Sequence, residues 1–376
     1  MARGPHPSSR HQLRSTFRRL PPQRGWPRVP DPPLALRAGG SSLKSPTSIT
    51  PGQSPRLASS CWLGLFFAVL AAVTLLVGCS DTGSPGEEVP GSSTATPTPT
   101  PAAAFPVTVT DNSNTKVTIE AEPKRIVSLS PAATEILFAI GAGDRVVGSD
   151  KFSNYPDAAT KMAKLEYSKP DPESALALNP DLIIMVTRQK EQVAQFRKLG
   201  MTVLYLEEAA SVEAVYTNIE LLGKLTGHSN DATTLVARMR ERIGAVTGKL
   251  TNVSSGPRVF YEITKDLYTA SPNTFIGSML TLLKAQNVAS GASSPFPQLT
   301  AEAVIAADPE VVLLADAKFT GENVQTVSAR PGWSDVSAVR GKRIIAIDDD
   351  IASRPGPRIV DAIEAIAKAL YPQRFP

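Results

Sequence analysis

A pattern of thirteen residues occurs twice in this chain, as ESALALNPDLIIM at residues 173–185 and as EAVIAADPEVVLL at residues 302–314. In both copies a Glu stands seven residues before a Pro, and an apolar run of Ile, Val, Leu or Met follows. Because Pro cannot continue a helix and restricts the residue before it, each copy predicts a short helix that ends at the Pro. The apolar run is typical of a strand buried on both faces of a parallel sheet. Any two helix–strand units look broadly alike, but the equal Glu-to-Pro spacing favours two similar lobes.

From residue 107 onward, predicted strands and helices alternate as they do in parallel-sheet α/β lobes. Residues 107–119 predict a hairpin. Ser229 is expected to cap a helix over about 229–249 that buries an apolar stripe and spans about 30 Å. Trp333 is expected to pack near the last strand, and residues 348–350 are expected to form an acidic loop. The predicted fold class is α/β, with two lobes built on central parallel sheets and joined by one long α-helix.

The first 106 residues have the composition of a leader and a tether. Residues 1–60 are rich in Arg, Pro and Ser without apolar periodicity, which predicts disorder. The apolar core at 62–77 is typical of a secretion signal and is short for a spanning helix, although a plain anchor is the alternative. Residues 80–106, rich in Ser, Thr, Pro and Gly, predict an extended tether. The predicted organisation is leader and signal 1–79, tether 80–106, N-terminal lobe 107–228, linking helix 229–250 and C-terminal lobe 251–376.

Charge is unevenly distributed along the 376 residues. Residues 1–79 contain ten Lys or Arg and one acid, Asp31, which leaves 29 bases and 34 acids for the rest of the chain. The net charge of +4 therefore arises in the N-terminal stretch, and the folded part is mildly acidic. This balance, without a basic helix carrying interleaved aromatics, argues against a nucleic-acid partner.

Catalytic motifs are missing from the sequence beyond residue 79. It has no Gly-rich phosphate loop, no Gly-x-Ser-x-Gly elbow and no His-Glu-x-x-His motif. It also has no Cys, and its only His is His228, for which a solvated position before the long helix is the simpler interpretation. We therefore expect no enzyme activity, no metal site and no cofactor. A membrane-tethered hydrolase or chelatase with a two-lobed α/β fold is the alternative from another class.

The order of motifs along the chain resembles the helical-backbone (class III) substrate-binding proteins of ABC importers, which serve vitamin B12, ferric siderophores and haem. The resemblance covers residues 107–372 and is closest to the vitamin B12-binding proteins. The motifs are a lipobox-like LVGC at 76–79, RIVSLSPAATE at 125–135, NYP at 154–156, NPDLI at 179–183, PQLTAE at 297–302 and GPRI at 356–359.

The resemblance implies a monomeric, lipid-anchored receptor on the extracytoplasmic face of the cell membrane. It would capture a corrinoid, or alternatively a ferric siderophore or haem, and deliver it to an ABC permease and its ATPase. Cys79 would carry the lipid after signal cleavage. Glu173 and Glu302, one on each lobe, would meet arginines of the permease and set the docking register. Solvated glutamates at helix starts are the simpler alternative for this pair, and a sensor that presents ligand to a signalling partner is an alternative function.

The resemblance also implies the ligand contacts. Tyr167 and Phe296 stand where the vitamin B12-binding proteins carry Trp, and two further aromatics fall on their tyrosine-bearing loop. A large, flat ligand with amide fringes requires aromatic walls and a few polar groups. Core packing is the alternative for each aromatic, and a Tyr iron ligand stays open for a haem protein. The predicted ligand contacts are Phe152, Tyr155, Tyr167, Phe296, Asp350 and Arg354.

Overall fold

The structure is a computed structural model that describes Met1 and residues 105–376. Its first lobe is built on five parallel strands, preceded by an antiparallel hairpin. The predicted leader, Cys79 and nearly all of the tether lie outside the described residues. The strands are β1 (Val107–Thr110), β2 (Lys116–Ile119), β3 (Ile126–Ser128), β4 (Val146–Asp150), β5 (Ala163–Leu165), β6 (Leu182–Val186) and β7 (Val203–Leu206). The helices are α1 (Pro131–Ala139), α2 (Asp157–Thr160), α3 (Pro172–Leu176), α4 (Lys190–Lys198) and α5 (Val212–Leu225). The sheet order is β5-β4-β3-β6-β7.

One long helix, α6 (Ser229–Gly248), follows the first lobe. It buries the predicted stripe and packs against α5, and the apolar core continues through it into the second lobe. The predicted cap is wrong by one residue, because His228 occupies the N-cap position and Ser229 is the first helical residue. Within residues 105–376, no helix combines the length and the apolarity that crossing a bilayer requires.

The second lobe is built on four parallel strands. The strands are β8 (Arg258–Glu262), β9 (Gln286–Asn287), β10 (Val311–Leu314) and β11 (Ile344–Ala346), in the sheet order β11-β10-β8-β9. The helices are α7 (Phe275–Leu282), α8 (Ala301–Ala307), α9 (Ala317–Thr320), α10 (Val324–Ser328), α11 (Ser337–Arg340), α12 (Asp349–Ala352) and α13 (Ile359–Leu370). Two separate parallel sheets flanking a long helix confirm the predicted fold class.

Two local predictions for the second lobe have different outcomes. Trp333 is 1% exposed, packs edge-on against Phe260 and shares an apolar cluster with Ile344 of the last strand β11, so its predicted packing near that strand is confirmed. The prediction of an acidic loop at 348–350 is wrong, because Asp348 accepts a hydrogen bond from the Asp350 N–H and thereby caps the short helix α12. Acidic side chains favour a helix start for this reason, so the acidic run at 348–350 indicates a helix start rather than a loop alone.

The duplicated pattern is confirmed in the backbone. Helices α3 and α8 begin at the side-chain caps Asp171 and Thr300. Each repeat then turns through a left-handed residue before its Pro, Asn179 with φ +48° and Asp308 with φ +42°. Asn and Asp tolerate this conformation better than other residues with a Cβ. The strands that follow, β6 and β10, pair in parallel with β3 and β8, so both repeats occupy the same place in their lobes.

Candidate ligand-binding site

A cavity of about 300 Å³ lies between the two lobes. The starts of α1 and α7, the last residue of β6 and the end of β7 with the segment that follows it contribute to its walls. In each lobe the carboxyl ends of parallel strands and the starts of the following helices meet at one edge, where α/β proteins bind ligands. The polar and aromatic lining residues are Ser130, Tyr167, Glu207, Glu208, Asn218, Asn273, Thr274, Phe275, Phe296, Ser353 and Arg354.

The four predicted aromatics lie at or near this cavity. Tyr167 and Phe296 line it. Phe152 packs edge-on against Tyr167, with ring centroids 5.5 Å apart and planes at 85°. Tyr155 lies outside the lining, and its ring stacks under the guanidinium of Arg358 at 4.0 Å. Phe152, Tyr155 and Phe296 are 44%, 46% and 53% exposed, so they form an apolar rim rather than part of the core.

The hydroxyl of Tyr167 is already engaged. It donates a hydrogen bond to Oε1 of Glu208 at 3.2 Å. Burial raises the pKa of Tyr167, and the neighbouring charge of Glu208 raises it further. Because iron ligation by tyrosine requires the phenolate, this environment disfavours Tyr167 as an iron ligand.

Asp350 and Arg354 form an ion pair with each other, and only Arg354 lines the cavity. Arg354 Nη1 also donates to Oδ1 of Asn154 at 2.6 Å. Asp350 accepts hydrogen bonds from Lys318 Nζ at 2.6 Å and from Asn154 Nδ2 at 3.2 Å. Burial opposes ionisation of Asp350, but Lys318 and Arg354 outweigh it and hold its pKa below the usual range. Asp350 therefore supports Arg354 instead of facing the cavity.

A buried glutamate of the first lobe completes this network. Glu135, in α1, is 3% exposed and accepts two hydrogen bonds from Arg358, at 2.9 Å and 2.6 Å. Arg354 Nη1 approaches the same carboxylate at 3.4 Å. The hydrogen bonds that Arg358 donates to Glu135 raise the pKa of Arg358. We call Glu135, Asn154, Asp350, Arg354 and Arg358 the interlobe clasp, because the first two belong to the first lobe and the others to the second.

Sequence reasoning missed the clasp. Glu135 and Arg358 were quoted only as parts of motifs, without a role. A usable signal was present, since Glu135 is followed by the apolar run ILFAI at 136–140, and an acid on a buried helix face requires a charged partner. The identity of that partner could not be read, because Arg358 is separated from Glu135 by 223 residues.

A second buried network supports the aromatic rim. Asp150 is fully buried and accepts hydrogen bonds from the Phe152 N–H, at 2.8 Å, and from the Ser153 hydroxyl. Lys164 Nζ donates to the carbonyl of Ser153 at 2.6 Å. Burial raises the pKa of Asp150, against these hydrogen bonds and the charge of Lys164. The network fixes the loop that carries Phe152 and Tyr155. No local sequence pattern indicates it.

The predicted docking pair lies apart from the cavity. Glu173 and Glu302 are exposed in the first turns of α3 and α8, at equivalent positions of the two lobes. His228 contacts Asp231 through Nδ1 at 3.2 Å, away from the lining. Among the described residues, no group of three or more His, Cys, Asp or Glu side chains is placed to hold a metal ion.

Comparison with known families identifies the class of this chain. The sequence profile of the family described as "Periplasmic binding protein" matches residues 126–351, which include both sheets and the long helix. The chain is a periplasmic binding protein. The prediction of a substrate-binding protein of the ABC-importer class is thereby confirmed at the level of the family.

Relatives of this periplasmic binding protein carry more specific names. It is 32% identical over 320 residues to an uncharacterized ABC transporter substrate-binding lipoprotein of Bacillus subtilis, covering 83% of this chain and 98% of that protein. It is also 32% identical over 270 residues to a cobalamin-binding protein of Halobacterium salinarum, covering 68% and 71%.

Solved structures similar to this periplasmic binding protein include receptors for different ligands. A periplasmic heme-binding protein of Roseiflexus matches with a TM-score of 0.61 and 30% identity, covering 67% of this chain and 99% of that chain. The periplasmic vitamin B12 binding protein of Vibrio cholerae matches with a TM-score of 0.60 and 25% identity, covering 68% and 99%. The fold is therefore common to several ligands, and the side chains of the cavity must select among them.

Proposed function

We propose that this protein captures a corrinoid such as cobalamin between its lobes and delivers it to an ABC permease, without performing chemistry on it. The observation that carries the choice of ligand is the charge of the cavity wall. Three lining residues are acidic or basic: Glu207, Glu208 and Arg354. Arg354 is already paired with Glu135 and Asp350, so the two glutamates make the cavity wall acidic.

An acidic wall favours a ligand fringed by neutral amides over one fringed by carboxylates. Amide N–H groups can donate to the two glutamates, whereas the propionates of haem would meet like charge. The side chains of Asn218 and Asn273 supply both donors and acceptors to such a fringe. The engaged hydroxyl of Tyr167 is a further argument against an iron porphyrin held by tyrosine.

The size and the rim of the cavity fit a ligand that is only partly enclosed. A volume of about 300 Å³ lies at the lower end of small-molecule sites, which span roughly 300–1,000 Å³. A corrin macrocycle would place one edge in the cavity and its faces against the exposed rings of Phe152, Tyr155 and Phe296. Exposed aromatic rings at a polar mouth are suited to such stacking.

The membrane anchor, the tether and the permease partners that we propose are those expected from the sequence. Cys79 would carry the lipid anchor and residues 80–106 would form the tether, which holds the receptor at the extracytoplasmic face of the cell membrane as a monomer. Glu173 and Glu302 would dock onto permease arginines, with the permease and its ATPase as partners. A lipid with two or more acyl chains anchors a protein stably, whereas one chain is marginal.

Calorimetric titration of the full-length protein with cyanocobalamin and with haemin tests the ligand. We expect 1:1 binding of cyanocobalamin at micromolar or lower concentration and weaker binding of haemin. Glu208→Gln should raise the affinity for haemin by about two- to fivefold, the effect of removing one partly solvated like charge. The matched control is Glu220→Gln, an exposed glutamate of α5 outside the cavity lining. Tight binding of haemin with no heat from cyanocobalamin would overturn the proposal.

A further inference from the structure

In both lobes an arginine at or just before the start of an inner strand donates hydrogen bonds to residues just beyond the C-terminal end of the predicted docking helix. In the first lobe, Arg125 Nε donates to the carbonyls of Leu178 and Asn179 at 3.0 Å and 3.1 Å, and Nη2 donates to Leu178 at 2.7 Å. In the second lobe, Arg258 Nε donates to the carbonyl of Asp308 at 2.9 Å, and Nη2 donates to its Oδ2 at 3.1 Å. The acceptors follow the C-terminal ends of α3 and α8.

An acidic residue closes each arrangement from the other side. Asp181 accepts from the backbone N–H of Arg125 at 3.0 Å, and Glu310 accepts from the backbone N–H of Arg258 at 2.9 Å. Each acidic residue also donates its own N–H to the carbonyl of the same arginine, at 2.9 Å in both lobes. We call each arginine with its acidic partner a staple, Arg125–Asp181 in the first lobe and Arg258–Glu310 in the second.

The two docking helices depend on such contacts for their orientation. Helix α3 has five residues and α8 has seven, well below the roughly 12–15 residues at which isolated helices become even marginally stable. Their buried side chains are few, Pro172 and Ala175 in α3 and Val304 in α8. Arg125 contacts two carbonyl oxygens, and Arg258 contacts one carbonyl and one carboxylate oxygen of Asp308. The planar guanidinium fixes the directions of these charge-assisted hydrogen bonds. The staples therefore fix the direction of each helix relative to its sheet.

We propose that Arg125 and Arg258 are positioning residues for permease docking, which act through Glu173 and Glu302 respectively. This inference rests on the proposed function. Both staples lie within single lobes, so they orient each carboxylate independently of the ligand cavity. Loss of a staple should weaken docking on its own lobe and leave ligand binding unchanged.

Uptake of radiolabelled cyanocobalamin by host cells that carry each full-length variant tests the inference. We expect Arg125→Ala to lower the maximal uptake rate about fivefold, the order of effect of misplacing one interfacial charge. The half-saturating cobalamin concentration, the calorimetric affinity and the thermal midpoint of the purified variant should stay unchanged. Arg125→Lys should restore part of the rate, because lysine supplies the charge without the fork. The matched control is Arg238→Ala, an exposed arginine of α6.

A double-mutant cycle separates positioning from general stabilisation. In a Glu173→Ala background, Arg125→Ala should cause no further loss, whereas in a Glu302→Ala background its fivefold effect should persist. Arg258→Ala should show the reverse dependence. If Glu173→Ala and Glu302→Ala reduce uptake but the arginine variants do not, the positioning role alone is overturned. A parallel loss of thermal midpoint and ligand affinity would also overturn it. Normal uptake by both glutamate variants, or no cobalamin uptake by the wild type, would overturn the proposed function together with the inference.

Discussion

Glu135→Ala removes the carboxylate at the centre of the interlobe clasp. The side chains of Arg354 and Arg358 are only 13% and 18% exposed. The variant therefore leaves two poorly hydrated cations without the carboxylate that they share. Removing one member of a buried ion pair costs about 3–5 kcal/mol of unfolding free energy. We expect about 3 kcal/mol, because Arg354 keeps Asn154 and Arg358 keeps the ring of Tyr155.

Thermal unfolding followed by circular dichroism at pH 7 measures this loss. At about 2 °C per kcal/mol for a domain of this size, the midpoint of Glu135→Ala should fall by about 6 °C. The matched control is Glu166→Ala, whose ion pair with Lys151 has both side chains more than half exposed. Such a pair contributes at most about 1 kcal/mol, so its midpoint should change by no more than about 2 °C. Equal shifts for the two variants would refute the reasoning that the clasp is a buried interlobe contact.

Two further substitutions test the interior of the second lobe. Asp316 is 3% exposed, and its carboxylate oxygens have no hydrogen-bond partner among the described residues; burial raises its pKa above the ordinary 3.8. As pH rises, Asp316 therefore loses its proton in the unfolded state before it does so in the folded state, which lowers the free energy of unfolding above about pH 4. Asp316→Asn should raise the thermal midpoint by about 1–3 °C at pH 7 and by much less near pH 4. A gain independent of pH would contradict this assignment. Trp333→Ala should cost about 3–5 kcal/mol in urea unfolding, since a buried indole leaves a cavity, and a loss below about 1 kcal/mol would mean that the site collapses around it.

The architecture was predictable because it depends on local patterns. The Glu-to-Pro repeat and the apolar stripe of α6 are each encoded within one short stretch of sequence. Errors arose where two local signals compete. Ser229 is a good capping residue, but the left-handed Gly227 ends the preceding turn so that His228 takes the cap position.

The candidate site was predictable in its aromatic part and at Arg354, which lines the cavity as predicted. The resemblance directed attention to Tyr167 and Phe296, which line the cavity, because aromatic residues at fixed offsets from a motif can be read along the chain. The other polar residues of the site could not be read in this way. Glu207 and Glu208 follow a strand without any distinguishing spacing, and the clasp joins positions more than 190 residues apart. The pairing of such groups depends on how the lobes meet, which no local pattern records.

Hydrogen–deuterium exchange of the full-length protein, with and without saturating cyanocobalamin, tests most directly whether the ligand is held between the lobes. Ligand contact should slow exchange in the loop that carries Phe152 and Tyr155, at Tyr167 and in the segment around Phe296, while α3 and α8 exchange as before. Slowed exchange confined to other surfaces, or an unchanged pattern at saturation, would contradict the account.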